Sequence, residues 1–177
     1  MKYELLFSGI GGQGVITLGE TLCDAAIKAG YNVTFVPFYG QEKRGGRTMC
    51  NIVISDGVES PIISAANIML IFDERSLGDY QHLIAEDGTL ILNSSMIDKE
   101  PNCSCASVEK IPFYAMAEEL GNPKTANVVA LGYVAKMLPM IPYEIIAKEV
   151  ENSFAAKPKL IPLNLEALKK GYDANNI

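Results

Sequence analysis

Four glycines near the start of the chain could place backbone N–H groups against an anion. Gly9, Gly11 and Gly14 follow the G-x-G-x-x-G spacing, and Gly12 adds a fourth position without a side chain. In that spacing one glycine makes a tight turn, one lets a ligand approach the backbone, and one lets a helix pack closely on a strand. We name residues 9–14 the glycine loop. It predicts a site for a phosphate or another anion, and the alternative is a structural turn that binds nothing.

The residues on either side of the glycine loop predict a strand before it and a helix after it. The apolar run Leu5-Leu6-Phe7 is typical of a buried strand, and apolar positions recur with helical spacing after the loop. A loop in this place directs its N–H groups outward at the positive end of the helix dipole. Gln13 is the one loop residue with a polar side chain, and it joins the four glycines among the candidate binding residues.

A polar loop after the second predicted strand carries charges that could bind an anion or a partner subunit. The segment 39–47 contains three cations within five positions, beside a carboxylate. Arginine offers a planar fork suited to phosphate or carboxylate. Both this loop and the glycine loop leave the carboxyl ends of strands, where ligands gather in parallel sheets. The alternative is a solvated charged loop. The candidate binding residues here are Glu42, Arg44, Gly45, Gly46 and Arg47.

Asn127 is a polar residue near the first turn of an otherwise apolar predicted helix. That helix runs from Thr125 to Leu138 and is apolar around so much of its circumference that it is expected to be buried. An asparagine in this place can satisfy a backbone group, which is its usual role, or it can point to a ligand. Asn127 is therefore the last candidate binding residue, and we predict that it forms one anion-facing site with the glycine loop at the carboxyl edge of the sheet.

No set of residues suited to catalysis emerges from the sequence. His82, the only histidine, lies in a predicted amphipathic helix with no nucleophile suggested near it. The four cysteines lack the repeated C-x-x-C spacing of zinc and iron–sulfur sites, and a cytoplasmic chain keeps its thiols reduced. Cys103 and Cys105 could form a redox pair or be incidental. We predict no catalytic residue and no metal site.

Length and charge limit the number of domains and the kinds of partner. At 177 residues and 49% hydrophobic content, one domain spanning residues 1–177 is expected. The net charge of -6 argues against nucleic acid and anionic membranes as partners. Met1-Lys2 runs directly into the first predicted strand, which leaves no room for a signal peptide, and no apolar run approaches the ~20 residues of a membrane span. We expect a cytoplasmic protein that binds proteins or small molecules.

Predicted strands alternate with predicted helices along most of the chain. This pattern predicts a three-layer α/β, Rossmann-like domain with a mainly parallel sheet and a helical C-terminal third. The turn signal Asp56-Gly57 predicts a β-hairpin between a strand at 48–55 and an edge strand at 58–62. A helix is predicted at 74–85, followed by a turn at Asp87-Gly88.

The second predicted strand, residues 32–37, argues against a nicotinamide dinucleotide. Such a ligand requires Asp or Glu about 20 residues past the glycines to bind the ribose hydroxyls. Phe35, Val36 and Pro37 occupy that place, and the next carboxylate, Glu42, lies beyond a turn. A free-standing nucleotide-binding or NAD-binding protein is therefore the second hypothesis, and a purely structural interaction module is the third.

Four separated motifs occur in order along nearly the whole chain. They are Gly9-Ile10-Gly11-Gly12-Gln13-Gly14-Val15, Glu42-Lys43-Arg44-Gly45-Gly46, Thr125-Ala126-Asn127-Val128-Val129-Ala130-Leu131-Gly132 and the stretch from Asn164 to Gly171. These motifs resemble those of the gamma subunit of 2-oxoacid:ferredoxin oxidoreductases, the pyruvate, ketoisovalerate and 2-oxoglutarate family. The resemblance implies oxidative decarboxylation of a 2-oxoacid on thiamine diphosphate, with electrons passing through iron–sulfur clusters to ferredoxin and the acyl group leaving as acyl-CoA.

The resemblance also implies how the ligands are divided among subunits. CoA is the ligand expected for this chain, because the equivalent domain of fused relatives is implicated in CoA binding. Thiamine diphosphate, Mg and [4Fe-4S] clusters are expected in the partners, which are thiamine-binding alpha and beta subunits and a ferredoxin-like delta subunit, with ferredoxin as acceptor. The isolated chain is expected to be inactive and to form a homodimer through its apolar surface. A short separate gamma chain favours 2-oxoglutarate or a branched-chain 2-oxoacid over pyruvate.

Overall fold

The structure is a computed structural model that describes residues 1–40 and 45–175. Within these residues, helices cover one six-stranded sheet. None of the described helices is long and apolar enough to cross a membrane. The strands are β1 (Lys2–Ile10), β2 (Asn32–Tyr39), β3 (Arg47–Ser55), β4 (Ala66–Ile71), β5 (Ile84–Asn93) and β6 (Ser107–Ile111). The α-helices are α1 (Val15–Lys28), α2 (Glu74–Tyr80), α3 (Phe113–Glu119), α4 (Ala126–Ala135), α5 (Tyr143–Ser153) and α6 (Ile161–Asp173).

The strand order of the sheet is β2-β3-β1-β4-β5-β6. The pairs β1–β4, β4–β5 and β5–β6 are parallel, whereas β3 is antiparallel to both β1 and β2. Five strands therefore share one direction and β3 alone opposes it. The predicted α/β class with a mainly parallel sheet is confirmed.

Side chains of β1 alternate between two apolar clusters on opposite faces of the sheet, as strand geometry requires. Leu5 and Phe7 pack with α1 and α4 on one face, whereas Leu6 packs with Leu77 of α2 on the other. Because helices cover both faces of the sheet, the central strands contain continuous apolar runs. These two clusters confirm the three-layer arrangement.

The hairpin of this fold is formed by β2 and β3, and not at the place predicted. Their register runs from Asn32 opposite Ser55 to Tyr39 opposite Thr48. The predicted edge strand at 58–62 is wrong, because those residues form a loop. The physical reason is that β1 and β2 already occupy both edges of β3, so no edge remains for a further arm.

The predicted helix at 74–85 is also too long. It ends at Tyr80, and a single 3₁₀ turn leads into β5. The predicted turn at Asp87-Gly88 lies inside β5, where the register against β4 shifts. A Cβ at Gly88 would lie 2.8 Å from the carbonyl oxygen of Ala66, so this glycine permits a close approach of two strands.

Helices α4 and α6 cross at very close range in the helical C-terminal third. A Cβ at Gly132 would overlap the carbonyl oxygen of Leu168, and a Cβ at Gly171 would overlap that of Val129. The two backbones are therefore in direct contact. Nearly every residue of α4 is buried, as its apolar circumference predicts.

Candidate anion-binding site

The glycine loop joins the end of β1 to the start of α1. Gly12 and Gly14 have positive φ values of 97° and 74°, a conformation that glycine adopts without strain. Gly14 is the N-cap residue of α1, and no side chain caps this helix. The first turn also contains no acidic residue. The N–H groups of the first turn therefore have no compensating side chain, and the positive end of the helix dipole is open to an anion.

The glycines of the loop have different surroundings. Gly9 is buried, and a Cβ there would lie 2.5 Å from Gln13 Oε1 and 3.1 Å from Phe72 Cβ, so its role is close packing. Gly12 is exposed, and nothing lies within 4 Å of its Cβ position. Gly12 is therefore the place where a ligand can come closest to the backbone.

Gln13 fixes the shape of the loop. Its Oε1 accepts a hydrogen bond from the Ile10 N–H at 2.7 Å, and its own N–H donates to the Ile10 carbonyl oxygen at 3.2 Å. The side chain of Gln13 also contacts Tyr114: burial raises the pKa of that phenol, and the hydrogen bond with Gln13 acts in the opposite direction. The geometry gives Gln13 a positioning role in the turn.

The glycine loop meets Gly46, near the end of the polar segment 39–47, at the carboxyl edge of the sheet. Gly11 donates its N–H to the Gly46 carbonyl oxygen at 2.8 Å, and Gly46 is buried by this contact. Gly45 has a positive φ of 67° and is exposed. Glu42 and Arg44 lie outside the described residues. Gly46 thus holds the glycine loop through its backbone.

The side chain of Arg47 lies in a different cleft from Gly12. It pairs with Asp79 of α2 at 2.5 Å and borders a cleft of about 450 Å³ together with Phe38, Tyr39 and Arg75. A second cleft, which Gly12 borders, lies over the glycine loop. Tyr39 borders both clefts and so lies between them. The structure does not bring the Arg47 side chain together with the glycines.

Two clefts meet at Gly12. The larger has a volume of about 480 Å³ and is bordered by Gly11, Gly14, Thr17 and Thr48 among others. Glu20, one turn further along α1, also borders it. The smaller cleft has a volume of about 180 Å³, and its lining residues are Gly12, Gln13, Tyr114, Pro123, Lys124 and Ala126. An anion over Gly12 would be accessible from both sides.

Asn127 supports the glycine loop from behind. Its Nδ2 donates to the Gly14 carbonyl oxygen at 3.3 Å, across 113 residues of sequence. A Cβ at Gly14 would lie 2.5 Å from the same nitrogen, so Gly14 is required by this contact as well as by its φ. Asn127 satisfies a backbone group, which was one of the two roles expected, and it is not among the residues that border either cleft at Gly12.

Lys124 and Tyr114 border the smaller cleft and were missed by sequence reasoning. Lys124 is exposed and lies in the 3₁₀ turn that precedes α4, and its backbone N–H donates to the Asn122 side chain at 3.0 Å. The signal that could have identified Lys124 was its place immediately before the motif that contains Asn127. Tyr114 gave no comparable signal, because an aromatic residue in a short helix is usually a packing residue.

A buried polar network lies behind the same edge of the sheet. Ser8 Oγ donates to Ser76 Oγ at 3.1 Å, and Ser76 Oγ donates to Asp73 Oδ2 at 2.6 Å. Asp73 also caps α2 by accepting the backbone N–H groups of Arg75 and Ser76. These hydrogen bonds are internal to the protein, so the network positions α2 against β1.

Two of the cysteines, Cys23 and Cys50, offer no reactive thiol because they are buried. Burial raises the pKa of Cys50 to about 12, and it raises that of the neighbouring buried Cys23 as well, so both thiols stay protonated at neutral pH. Within residues 1–40 and 45–175, no group of three or more His, Cys, Asp and Glu side chains could hold a metal ion. What the glycine loop offers an anion is its backbone N–H groups at the start of α1, with Lys124 among the residues that border the smaller cleft.

Comparison with known proteins identifies relatives over nearly the whole chain. The ketoisovalerate oxidoreductase subunit VorA of Methanothermobacter marburgensis is 31% identical over 176 residues, which are 97% of this chain and 36% of that protein. The chain thus spans about a third of the length of this relative. The 2-oxoglutarate synthase subunit KorC of Methanocaldococcus jannaschii is 30% identical over 178 residues, and the match covers 98% of this chain and 94% of that subunit.

Solved structures share the fold. The gamma subunit of a keto/oxoacid ferredoxin oxidoreductase from Geobacter sulfurreducens superposes with a TM-score of 0.82 at 28% identity, covering 97% of this chain and 96% of that one. A 2-oxoglutarate:ferredoxin oxidoreductase from Magnetococcus marinus shares the fold with a TM-score of 0.88 at 22% identity, although this chain covers only 30% of it. Residues 4–174 match the family described as pyruvate ferredoxin/flavodoxin oxidoreductase, and the chain belongs to that family.

Proposed function

We propose that this chain is the gamma subunit of a multi-subunit 2-oxoacid:ferredoxin oxidoreductase. The complex would decarboxylate a 2-oxoacid oxidatively to its acyl-CoA and pass the electrons to ferredoxin. The family membership and the gamma subunit from Geobacter sulfurreducens support this proposal. Relatives named for ketoisovalerate and 2-oxoglutarate support a branched-chain 2-oxoacid or 2-oxoglutarate as substrate, ahead of pyruvate.

The role of this chain within the complex is to bind a phosphate of CoA at the glycine loop. The observation that carries this role is the open backbone at Gly12, next to the uncapped start of α1. Backbone N–H groups at a helix start attract phosphate, with a typical contribution of about 0.3 to 1 kcal/mol from the helix dipole alone. CoA supplies the thiol that takes up the acyl group, whereas this chain orients its charged end.

The smaller cleft extends the proposed site on its other side. Lys124 places a cation at the border of that cleft, and Tyr114 adds a phenol hydroxyl. CoA carries several phosphate oxygens. A second group that attracts anions, placed beside the glycine loop, therefore fits CoA better than it fits a single small anion. Asn127 and Gln13 hold the loop in the shape that this binding requires.

Partner subunits supply the rest of the reaction in this proposal. Thiamine diphosphate, Mg and [4Fe-4S] clusters belong to the alpha, beta and delta subunits. Large apolar side chains at or just after the carboxyl ends of β2 and β5 are exposed and support a subunit contact there: Phe38 is 46% exposed, Tyr39 67% and Met96 50%. Such apolar groups are usually covered in an assembled complex.

The sheet topology opposes the alternative of a free-standing NAD-binding protein. In the dinucleotide fold the strand after the first helix lies beside the first strand, but here β3 lies between β1 and β2. The end of β2 is therefore one further strand spacing, ~4.8 Å, from the glycine loop. That end also consists of Pro37, Phe38 and Tyr39, none of which can bind ribose hydroxyls through a carboxylate.

The test is to measure the two half-reactions of the assembled complex with Gly12→Val. The Val side chain would fill the space over the glycine loop, so we expect the apparent KM for CoA to rise about tenfold, which is about 1.4 kcal/mol of binding. Thiamine-dependent decarboxylation of the 2-oxoacid should change much less. Assays of 2-oxoglutarate, branched-chain 2-oxoacids and pyruvate on the same preparation identify the substrate.

Gly30→Val is the matched control. Gly30 has nearly the same φ, 93°, and equally nothing within 4 Å of its Cβ position, but it follows α1 at the opposite edge of the sheet. Both variants should lose similar stability, and only Gly12→Val should change the CoA dependence. If both variants keep the wild-type CoA dependence in assembled complexes, the glycine loop is structural. Saturable, tight NAD binding by the isolated chain would favour the alternative.

A further inference from the structure

Cys103 and Cys105 lie side by side in the segment that leads into β6. Their Sγ atoms are 3.8 Å apart. Both residues are partly exposed, whereas the other two cysteines, Cys23 and Cys50, are buried. The proposed CoA site uses none of these thiols, and the pair precedes β6 at the amino edge of the parallel strands, opposite the glycine loop.

The backbone on either side of the pair is anchored. The Asn102 N–H donates to Gln81 Oε1 at 2.7 Å, and the Ala106 N–H donates to the Gly88 carbonyl oxygen at 3.1 Å. Cys105 Sγ donates to the Ser107 carbonyl oxygen at 3.4 Å. The two sulfurs are therefore held near each other by the fold, so little of the loop has to reorganise before they can bond at the ~2.05 Å of a disulfide.

We propose that Cys103 and Cys105 form a reactive dithiol that is oxidised to an intramolecular disulfide by low-molecular-weight disulfides. One protein thiolate attacks the small disulfide, which forms a mixed disulfide and releases one small thiolate. The second protein thiol then loses its proton and attacks the protein sulfur of the mixed disulfide, which releases the second small thiolate. Two electrons and two protons pass from the protein to one small disulfide, which becomes two thiols.

Burial and the contact with Cys105 raise the pKa of Cys103 to about 11. Because the thiolate is the attacking form of a cysteine, exchange at Cys103 is expected to be slow at neutral pH and to become faster as the pH rises.

The two-residue spacing of the pair determines how stable the product is. A disulfide between Cys103 and Cys105 closes a very small ring, and strained disulfides are more easily reduced than structural ones. The bond is thus expected to form only when the small disulfide is in excess and to open again in a reducing thiol pool. This is the behaviour of a reversible modification site.

The experiment treats the full chain, purified under reducing conditions, with increasing ratios of oxidised to reduced glutathione. Peptide mass mapping follows each cysteine. We expect the wild-type peptide with Cys103 and Cys105 to lose two hydrogen atoms, whereas Cys103→Ser and Cys105→Ser each accumulate a glutathione adduct on the remaining thiol. Cys23 and Cys50 serve as internal controls and should stay unmodified while the chain is folded, since both are buried.

A dithiol-specific trivalent arsenical provides a second measurement. Phenylarsenoxide should bind the wild type at one equivalent and bind either serine variant about a hundredfold more weakly, because the second sulfur acts at high effective concentration. The proposal is overturned if the folded wild type keeps both thiols reduced at ratios that oxidise the chain in denaturant. It is equally overturned if the two cysteines carry separate glutathione adducts without closing the ring.

Discussion

Glycines serve opposite purposes at the glycine loop and at the crossing of α4 and α6. The space beyond Gly12 is empty, whereas the space beyond Gly132 and Gly171 is filled by the backbone of the opposing helix. Both regions belong to the motifs that carry the family resemblance. A glycine within a family motif therefore does not by itself mark a ligand site, because it can equally mark a place where two backbones touch.

The largest effect that distinguishes the two regions is expected for Gly171→Ala. The added methyl group would overlap the Val129 carbonyl oxygen, and the helices can relieve this only by moving apart. We expect a loss of about 3 kcal/mol or more in the free energy of unfolding, at the upper end of the range for overpacking. Urea denaturation of the isolated chain measures the loss.

Gly78→Ala is the control for this prediction. Gly78 lies in α2, is exposed and has nothing within 4 Å of its Cβ position. Alanine in an open helical position should stabilise the chain by up to about 1 kcal/mol. Opposite signs for the two Gly→Ala changes are therefore expected, and equal small effects would show that α4 and α6 are not in backbone contact.

The next largest effect is expected for Gly14→Ala, where positive φ and a close neighbour act together. The Cβ would meet Asn127 Nδ2 at 2.5 Å, and the φ of 74° is unfavourable for alanine. We expect a loss of about 2 kcal/mol, and about 1 kcal/mol for Asn127→Ala, which removes a hydrogen bond. In the double variant the clash with the amide group is gone, while the φ strain, the lost hydrogen bond and a 3.2 Å contact with the Cβ of residue 127 remain, so its loss should be smaller than the sum. Strict additivity of the two losses would contradict the contact.

A smaller effect on stability is expected for Gly12→Ala. No neighbour opposes the methyl group, so only the strain of about 1 kcal/mol at positive φ remains. Gly30→Ala should cost the same amount, because its φ and its open surroundings are nearly identical. Thermal unfolding of the two variants provides the comparison. A much larger loss for Gly12→Ala would mean that the glycine loop is packed and not open.

The smallest effect on stability is expected for Arg47→Ala. Its ion pair with Asp79 is partly exposed on both sides, and such pairs contribute about 1 kcal/mol or less. Because Arg47 borders the cleft with the exposed aromatic residues, this variant should weaken assembly or turnover of the complex without changing the apparent KM for CoA. Titration of the variant with the partner subunits measures assembly. If the variant instead changes only the CoA dependence, Arg47 belongs to the anion site.

The glycine loop could be predicted from the sequence because its signal is local. The change from strand to helical periodicity falls at Gly9 to Gly14, and positive φ values follow at two of its glycines. The contact between Gly14 and Asn127 could not be predicted, since 113 residues separate the partners and neither residue specifies the other. The sequence therefore predicted that Asn127 and the glycine loop belong to one site, without predicting which of their atoms touch.

Strand order depends on tertiary pairing, and this explains the two wrong turn predictions. Asp56-Gly57 has the composition of a hairpin turn, but the strand before it already has a partner on each side. Asp87-Gly88 has the same composition, yet its glycine serves a close approach between β4 and β5. The direction of the Arg47 side chain is a further consequence of strand order, because its partner Asp79 lies on α2.

The antiparallel strand β3 also determines when the anion site can form during folding. Strands β2 and β3 form a local hairpin. Strand β1 pairs with β3 although α1 and β2 separate the two strands in the sequence. Distant pairings of this kind form slowly, because the chain entropy is lost before the contacts are gained. The Gly11 N–H should therefore become protected from hydrogen exchange together with β1, after the hairpin is complete. On a ribosome, the contact between Gly11 and Gly46 would stay unformed until residue 55 has emerged, and the support from Asn127 would follow later.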